Sequence, residues 1–164
     1  CWNFAVDRNA ALKYQKEALT IRQNADDAWG LGESYSAVGT CLYRLERFQE
    51  ARDYYKKSLD IFTVLDQNPN GKSRSLFNLG IACAALEQLE EAVKWFKQAL
   101  ELSESMNNLY RTAVLLGNIG AILGEMKRTD EATEYLERSL SLCKEAGFSK
   151  KYELFEQRLN KLKV

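Results

Sequence analysis

Apolar residues recur along this chain with the spacing of helices. Leu76, Leu79 and Cys83 stand at i, i+3 and i+7, one stripe of an amphipathic helix. No segment alternates apolar and polar residues, so no strand is predicted. The pattern predicts an all-α chain of about seven helices arranged in pairs. First helices are expected near 27–46, 70–86, 108–126 and 149–162. Second helices run for about five turns from Phe48, Leu89 or Thr129, with Asp130 placed as an N-terminal cap. Asn68-Pro69-Asn70-Gly71, Asn107-Asn108 and Ala146-Gly147 carry the turn chemistry that ends the second helices.

The same pattern repeats. Gly39, Gly80 and Gly120 align at intervals of 41 and 40 residues. Twelve residues after each comes Ala51, Ala92 or Ala132, then Tyr55, Phe96 or Leu136, then Ser58, Ala99 or Ser139. A half copy opens the chain, where Ala11, Tyr14, Ala18 and Leu19 align with Ala51, Tyr54, Ser58 and Leu59; Gln15 stands where an aromatic is expected. Glycine inside a helix costs ~1 kcal/mol relative to alanine. Three such costs at one repeat position point to helices crossing too closely for a side chain, with the three alanines as counterparts. The large residues four positions further on would fill the space between hairpins. Stacked hairpins bury a continuous core that none buries alone. The organisation predicted is one domain over 1–164, with a half-repeat at 1–25, repeats at about 27–67, 70–107 and 108–147, and a final helix at 148–164.

Composition narrows the chemistry. Charges balance at 23 against 23, so no overall field favours nucleic acid or an anionic membrane. No apolar run nears the ~18 residues of a membrane span. The chain begins at Cys1 rather than Met, as a piece of a longer protein would. It has no histidine and no CxxC pair, so Cys41 and Cys83, set in apolar helical stretches, read as buried thiols rather than zinc ligands or disulfides. The expected location is cytoplasmic. Gly117, Gly120 and Gly124 fall inside a helical pattern, not between a strand and a helix, and read as packing rather than a phosphate loop. Glu87, Glu90 and Glu91 suit a solvated helix start. No nucleophile–base pair, metal or cofactor site emerges, and no catalysis is predicted. Lys144, Lys150, Lys151, Arg158, Lys161 and Lys163 leave the C-terminal end weakly basic, read as a solvated helix face rather than an anion site.

The repeated residues Tyr35, Val38, Gly39 and Leu42, then Leu76, Leu79, Gly80 and Cys83, then Leu116, Ile119, Gly120 and Leu123 resemble W-x2-L-G-x2-Y, the signature of tetratricopeptide repeats. The A-x3-F element follows in each copy as Ala51 and Tyr55, Ala92 and Phe96, and Ala132 and Leu136. The closing proline is missing and the period is near 40 rather than about 34. Such longer repeats resemble those of kinesin light chains and Leu-Gly-Asn repeat proteins. The resemblance implies a right-handed α-solenoid of stacked antiparallel hairpins that serves as a protein-binding scaffold.

It also implies a concave groove lined by the first helices. Carried over by position, the groove takes Glu33, Ser36, Ala37, Thr40, Tyr43 and Arg44 from the first full repeat. Arg74, Phe77, Asn78, Ile81, Ala84 and Ala85 come from the second; Val114, Gly117, Asn118, Ala121, Gly124 and Glu125 come from the third. Asn78 and Asn118 are the leading candidates, because an amide both donates and accepts and so can hold a peptide backbone. The alternative is that they bridge neighbouring helices. Tyr43 and Phe77 would anchor an apolar side chain, or belong to the core. Arg44 and Arg74 would pair with ligand carboxylates, or be solvated. The chaperone-carboxylate clamp known in part of the family resembles Lys and Asn, then Asn, then Lys and Arg. Ser36, Thr40, Asn78, Val114 and Asn118 stand there and one matches, which disfavours that ligand. The second functional reading is a structural element of a cytoskeletal, ciliary or motor-adaptor assembly, packed through its convex face or ends.

Overall fold

The computed structural model describes residues 7–65 and 69–162. These form eight α-helices and no strand: α1 (Arg8–Gln23), α2 (Ala28–Arg44), α3 (Phe48–Val64), α4 (Pro69–Ala85), α5 (Leu89–Ser105), α6 (Leu109–Glu125), α7 (Thr129–Glu145) and α8 (Ser149–Leu162). One more helix is present than the count expected, because the half-repeat at the start supplies α1 as a helix of its own. The chain divides into two compact units, Cys1–Leu86 and Glu87–Val164.

In the first unit α2 and α3 form an antiparallel hairpin; α1 packs on α2, while α4 packs on α3 and touches α2. In the second, α6 and α7 form the hairpin, α5 packs on α6, and α8 packs on α7 and touches α6. The hairpin turns share one device. After α2, Glu46 takes a left-handed conformation (φ 61°), and the Arg47 N–H donates back to the Leu42 carbonyl at 3.0 Å. After α6, Lys127 (φ 59°) does the same, and the Arg128 N–H donates to the Leu123 carbonyl at 2.9 Å. These bonds satisfy carbonyls that a helix end leaves open.

Gly39 and Gly120 lie where the two helices of a hairpin meet closely. A Cβ on Gly39 would come within 2.7 Å of the Tyr55 ring. On Gly120 it would meet Leu136 Cγ at 2.8 Å and the Ala132 carbonyl at 3.0 Å. Tyr55 and Leu136 therefore sit on the crossing itself, rather than only between hairpins. The small hydroxyl at the next repeat position also has a task. Ser58 Oγ donates to the Gly32 carbonyl at 2.9 Å, and Ser139 Oγ donates to the Ala113 carbonyl at 2.8 Å, each fully buried. Each ties a second helix to the first helix of its hairpin.

Several local expectations are corrected. Arg128, not Asp130, occupies the N-cap of α7, and it makes no side-chain cap bond. Its guanidinium pairs with Glu131 at 2.6 Å, as Arg47 pairs with Glu50 at the start of α3. The helix starts as soon as the left-handed turn ends, which leaves Asp130 inside the first turn, where its charge favours the helix dipole. Pro69 opens α4 instead of closing α3, since a first-turn proline forfeits no helical bond. Asn68, Cys1 and Lys163 lie outside the described residues. Cys83 and Cys143 are buried, whereas Cys41 is only half-buried, and none of the three is in a disulfide. None of the described helices is long and apolar enough to cross a membrane.

Candidate functional site

Within each unit two first helices touch, α4 on α2 and α8 on α6, and candidate residues lie on those faces. On the α2–α4 face, Asn78 Nδ2 donates to Ser36 Oγ at 3.3 Å. Arg74 forms an ion pair with Glu33, so this guanidinium is already matched by a carboxylate of the array. Phe77 is half-buried on α4. Tyr43 turns toward the start of α3, its ring 5.2 Å from that of Phe48. Arg44 ends α2 in solvent, and its carbonyl accepts from Arg8 Nη1 at 2.9 Å.

On the α6–α8 face, Asn118 Oδ1 accepts from Arg158 Nη1 at 3.5 Å, and the same nitrogen donates to the Gly117 carbonyl at 3.3 Å. Asn78 and Arg158 thus make equivalent links, each reaching back to the residue about one repeat earlier on the preceding first helix. Each asparagine is engaged through one half of its amide. Among the described residues, Asn78 Oδ1 accepts nothing and Asn118 Nδ2 donates to nothing. Bridging a neighbour and holding a ligand are therefore compatible roles for the same side chain.

Arg158 is the residue that sequence reasoning missed. Its basic neighbours at the C-terminal end suggest a solvated face, yet it is half-buried against α6 with its guanidinium over the Phe155 ring. Burial draws its pKa down, and nearby Glu125 pushes it back up. The repeat register carried the signal: Arg158 stands 40 residues after Asn118. Beside it opens a cavity of about 350 Å³, lined in part by Gly120, Ala121, Gly124, Glu125 and Lys161. Two cations and one carboxylate border it, a balance that favours an anionic group.

The fold and this face define a helical-repeat protein whose first helices carry the polar positions. The tetratricopeptide repeat pattern matches residues 7–64, 30–105 and 72–145, and the chain belongs to the tetratricopeptide repeat family. Among curated relatives, human outer dynein arm-docking complex subunit 4 is 27% identical over 83% of this chain, which spans 19% of that protein. The photosystem I assembly protein Ycf3 of Acaryochloris marina is 30% identical over 63% of this chain and 65% of its own length. Among solved structures, aspartyl phosphate phosphatase F from Bacillus subtilis superposes with a TM-score of 0.85 at 22% identity, covering 92% of this chain and 39% of that one. A Rap protein complexed with competence and sporulation factor gives 0.83 at 15%, covering 95% and 47%. The kinesin light chain repeats of Podosopora anserina give 0.81 at 14%, covering 94% and 76%. At these identities the structures share the fold.

Proposed function

We propose that this chain is a non-catalytic scaffold that binds a partner peptide or helix along the faces of its first helices. The observation that carries the reading is the pair of half-used amides, Asn78 and Asn118, at equivalent repeat positions and with ligand-binding capacity left over. A Rap protein of the same fold is described in complex with competence and sporulation factor, and a Rap conjugation gene regulator in complex with the Phr* peptide, which supports a peptide ligand. The repeat spacing of 41 and 40 residues supports the long-repeat type of kinesin light chains and Leu-Gly-Asn proteins. A cytoplasmic setting accompanies this reading.

The acidic side chain of such a peptide would meet Arg158 and Lys161 at the cavity between α6 and α8. A chaperone C-terminal carboxylate remains a poor fit, since Ser36, Thr40 and Val114 offer no cation. A second reading, a structural element of a cytoskeletal or ciliary assembly, draws support from the dynein-docking relative, although the chain spans 19% of that protein.

Selecting 12-residue peptides from a random library on the intact chain tests the first reading. Enriched peptides should carry a carboxylate, and Arg158→Gln should weaken them by about tenfold, the ~1.4 kcal/mol of one charge-assisted hydrogen bond. Enrichment of no peptide, or of peptides indifferent to Arg158→Gln, would reject it.

A further inference from the structure

A second patch lies at the other end of α6 and α8 from Arg158. Leu109, Tyr110 and Leu154 are 44%, 53% and 38% exposed, unusual for large apolar side chains of a packed hairpin. Tyr110 meets Phe148 edge to face at 5.3 Å, joining the start of α6 to the turn before α8. Together with Gly147 and Leu154 they border a cavity of about 580 Å³. Lys150 and Lys151 stand on its rim, and no carboxylate lines it. Neither lysine has an ion-pair partner among the described residues. Glu153, the next acidic residue on α8, is exposed.

We infer that this patch is a docking surface, separate from the groove cavity, for a partner-protein segment that carries a bulky apolar side chain flanked by carboxylates. The apolar side chain would fill the space between Tyr110, Phe148 and Leu154, an aromatic-walled pocket of the kind that anchors interfaces. The carboxylates would face Lys150 and Lys151. Charge complementarity decides among occupants. A second copy of this chain docked symmetrically would bring two more lysines and no lining carboxylate into the same contact, since a two-fold contact uses one patch on both copies. An acidic segment turns that repulsion into attraction.

The test uses the intact, isotope-labelled chain and a synthetic 12-residue peptide with a central Trp-Leu pair between aspartates and glutamates. One control peptide has Asn and Gln at the acidic positions, and another has Ser at the apolar ones. The expected result is amide shift changes clustered at Tyr110, Phe148, Lys150 and Leu154. Both controls and the Lys150→Glu/Lys151→Glu variant should bind at least about tenfold more weakly. Lys150 is exposed, Lys151 is half-buried and neither makes an ion pair among the described residues, so the variant should melt close to the parent. Arg158→Gln should leave this binding within about twofold, which separates the patch from the groove. The inference is overturned by any of the following outcomes: no binding at about 1 mM peptide, shifts centred on Ala121 and Lys161, or equal affinity for the amide control. Sedimentation showing a dimer that Tyr110→Glu dissociates would assign the patch to a second copy, and co-sedimentation with anionic vesicles would assign it to lipid; either result also overturns it.

Discussion

Phe62→Ala should lower stability by about 3–5 kcal/mol, the range for deleting a buried phenylalanine. The ring is completely buried. It is held between two helices at glycines: a Cβ on Gly32 would come within 2.9 Å of it, and one on Gly71 within 2.8 Å. Both walls are helix backbone, which moves less readily than side chains, so the cavity left by alanine should close poorly. Val64, two residues on and 85% exposed, provides the control, and Val64→Ala should change stability by less than about 0.5 kcal/mol. A double-mutant cycle adds detail. Gly71→Ala should destabilise the parent, because the new methyl meets the ring, and should be neutral or stabilising beside Phe62→Ala. The expected coupling exceeds about 1 kcal/mol. Urea denaturation followed by circular dichroism reads all five proteins. A cost for Phe62→Ala no larger than that for Val64→Ala would show that the ring is not the wedge between α2 and α4.

The second large effect concerns binding. Asn78→Ala with Asn118→Ala should weaken the selected peptide by about five- to a hundredfold, as two net hydrogen bonds of roughly 0.5–1.5 kcal/mol are lost. Folding should suffer little. The internal bonds of these amides are long, 3.3 Å for Asn78 to Ser36 and 3.5 Å for Arg158 to Asn118, and alanine is the better helix former. Arg158 keeps its bond to the Gly117 carbonyl in the variant. If the asparagines act only as bridges, the melting temperature should fall and intrinsic affinity should hold. Melts and titrations on the same variant distinguish the two roles.

The repeat architecture was legible because it depends on periodic positions. The starts of the second helices at Phe48, Leu89 and Thr129 follow from aligning three copies, and the structure begins α3, α5 and α7 at those residues. The turns themselves were harder to read. Their left-handed residues include Glu46, Glu87 and Lys127, charged side chains that carry none of the glycine signal expected at φ > 0. The site was legible in position but not in pairing. Arg74 and Glu33 lie 41 residues apart, and nothing local links them. Arg158 was hidden by its neighbours, because a basic stretch ordinarily marks a solvated face. Its repeat position outweighs its local composition, since α8 packs as the first helix of a hairpin and aims that position at α6.

Site-specific photo-crosslinking tests the central claim, groove binding, most directly. A benzophenone amino acid would replace Tyr43, Phe77 or Glu125 on the first helices, and Asp53, Lys94 or Glu134, exposed on the second helices, in separate proteins. With the library-selected peptide, the account predicts crosslinks from the first-helix positions, suppressed by excess unlabelled peptide, and background levels from the others. Crosslinking confined to Asp53, Lys94 and Glu134 would contradict it.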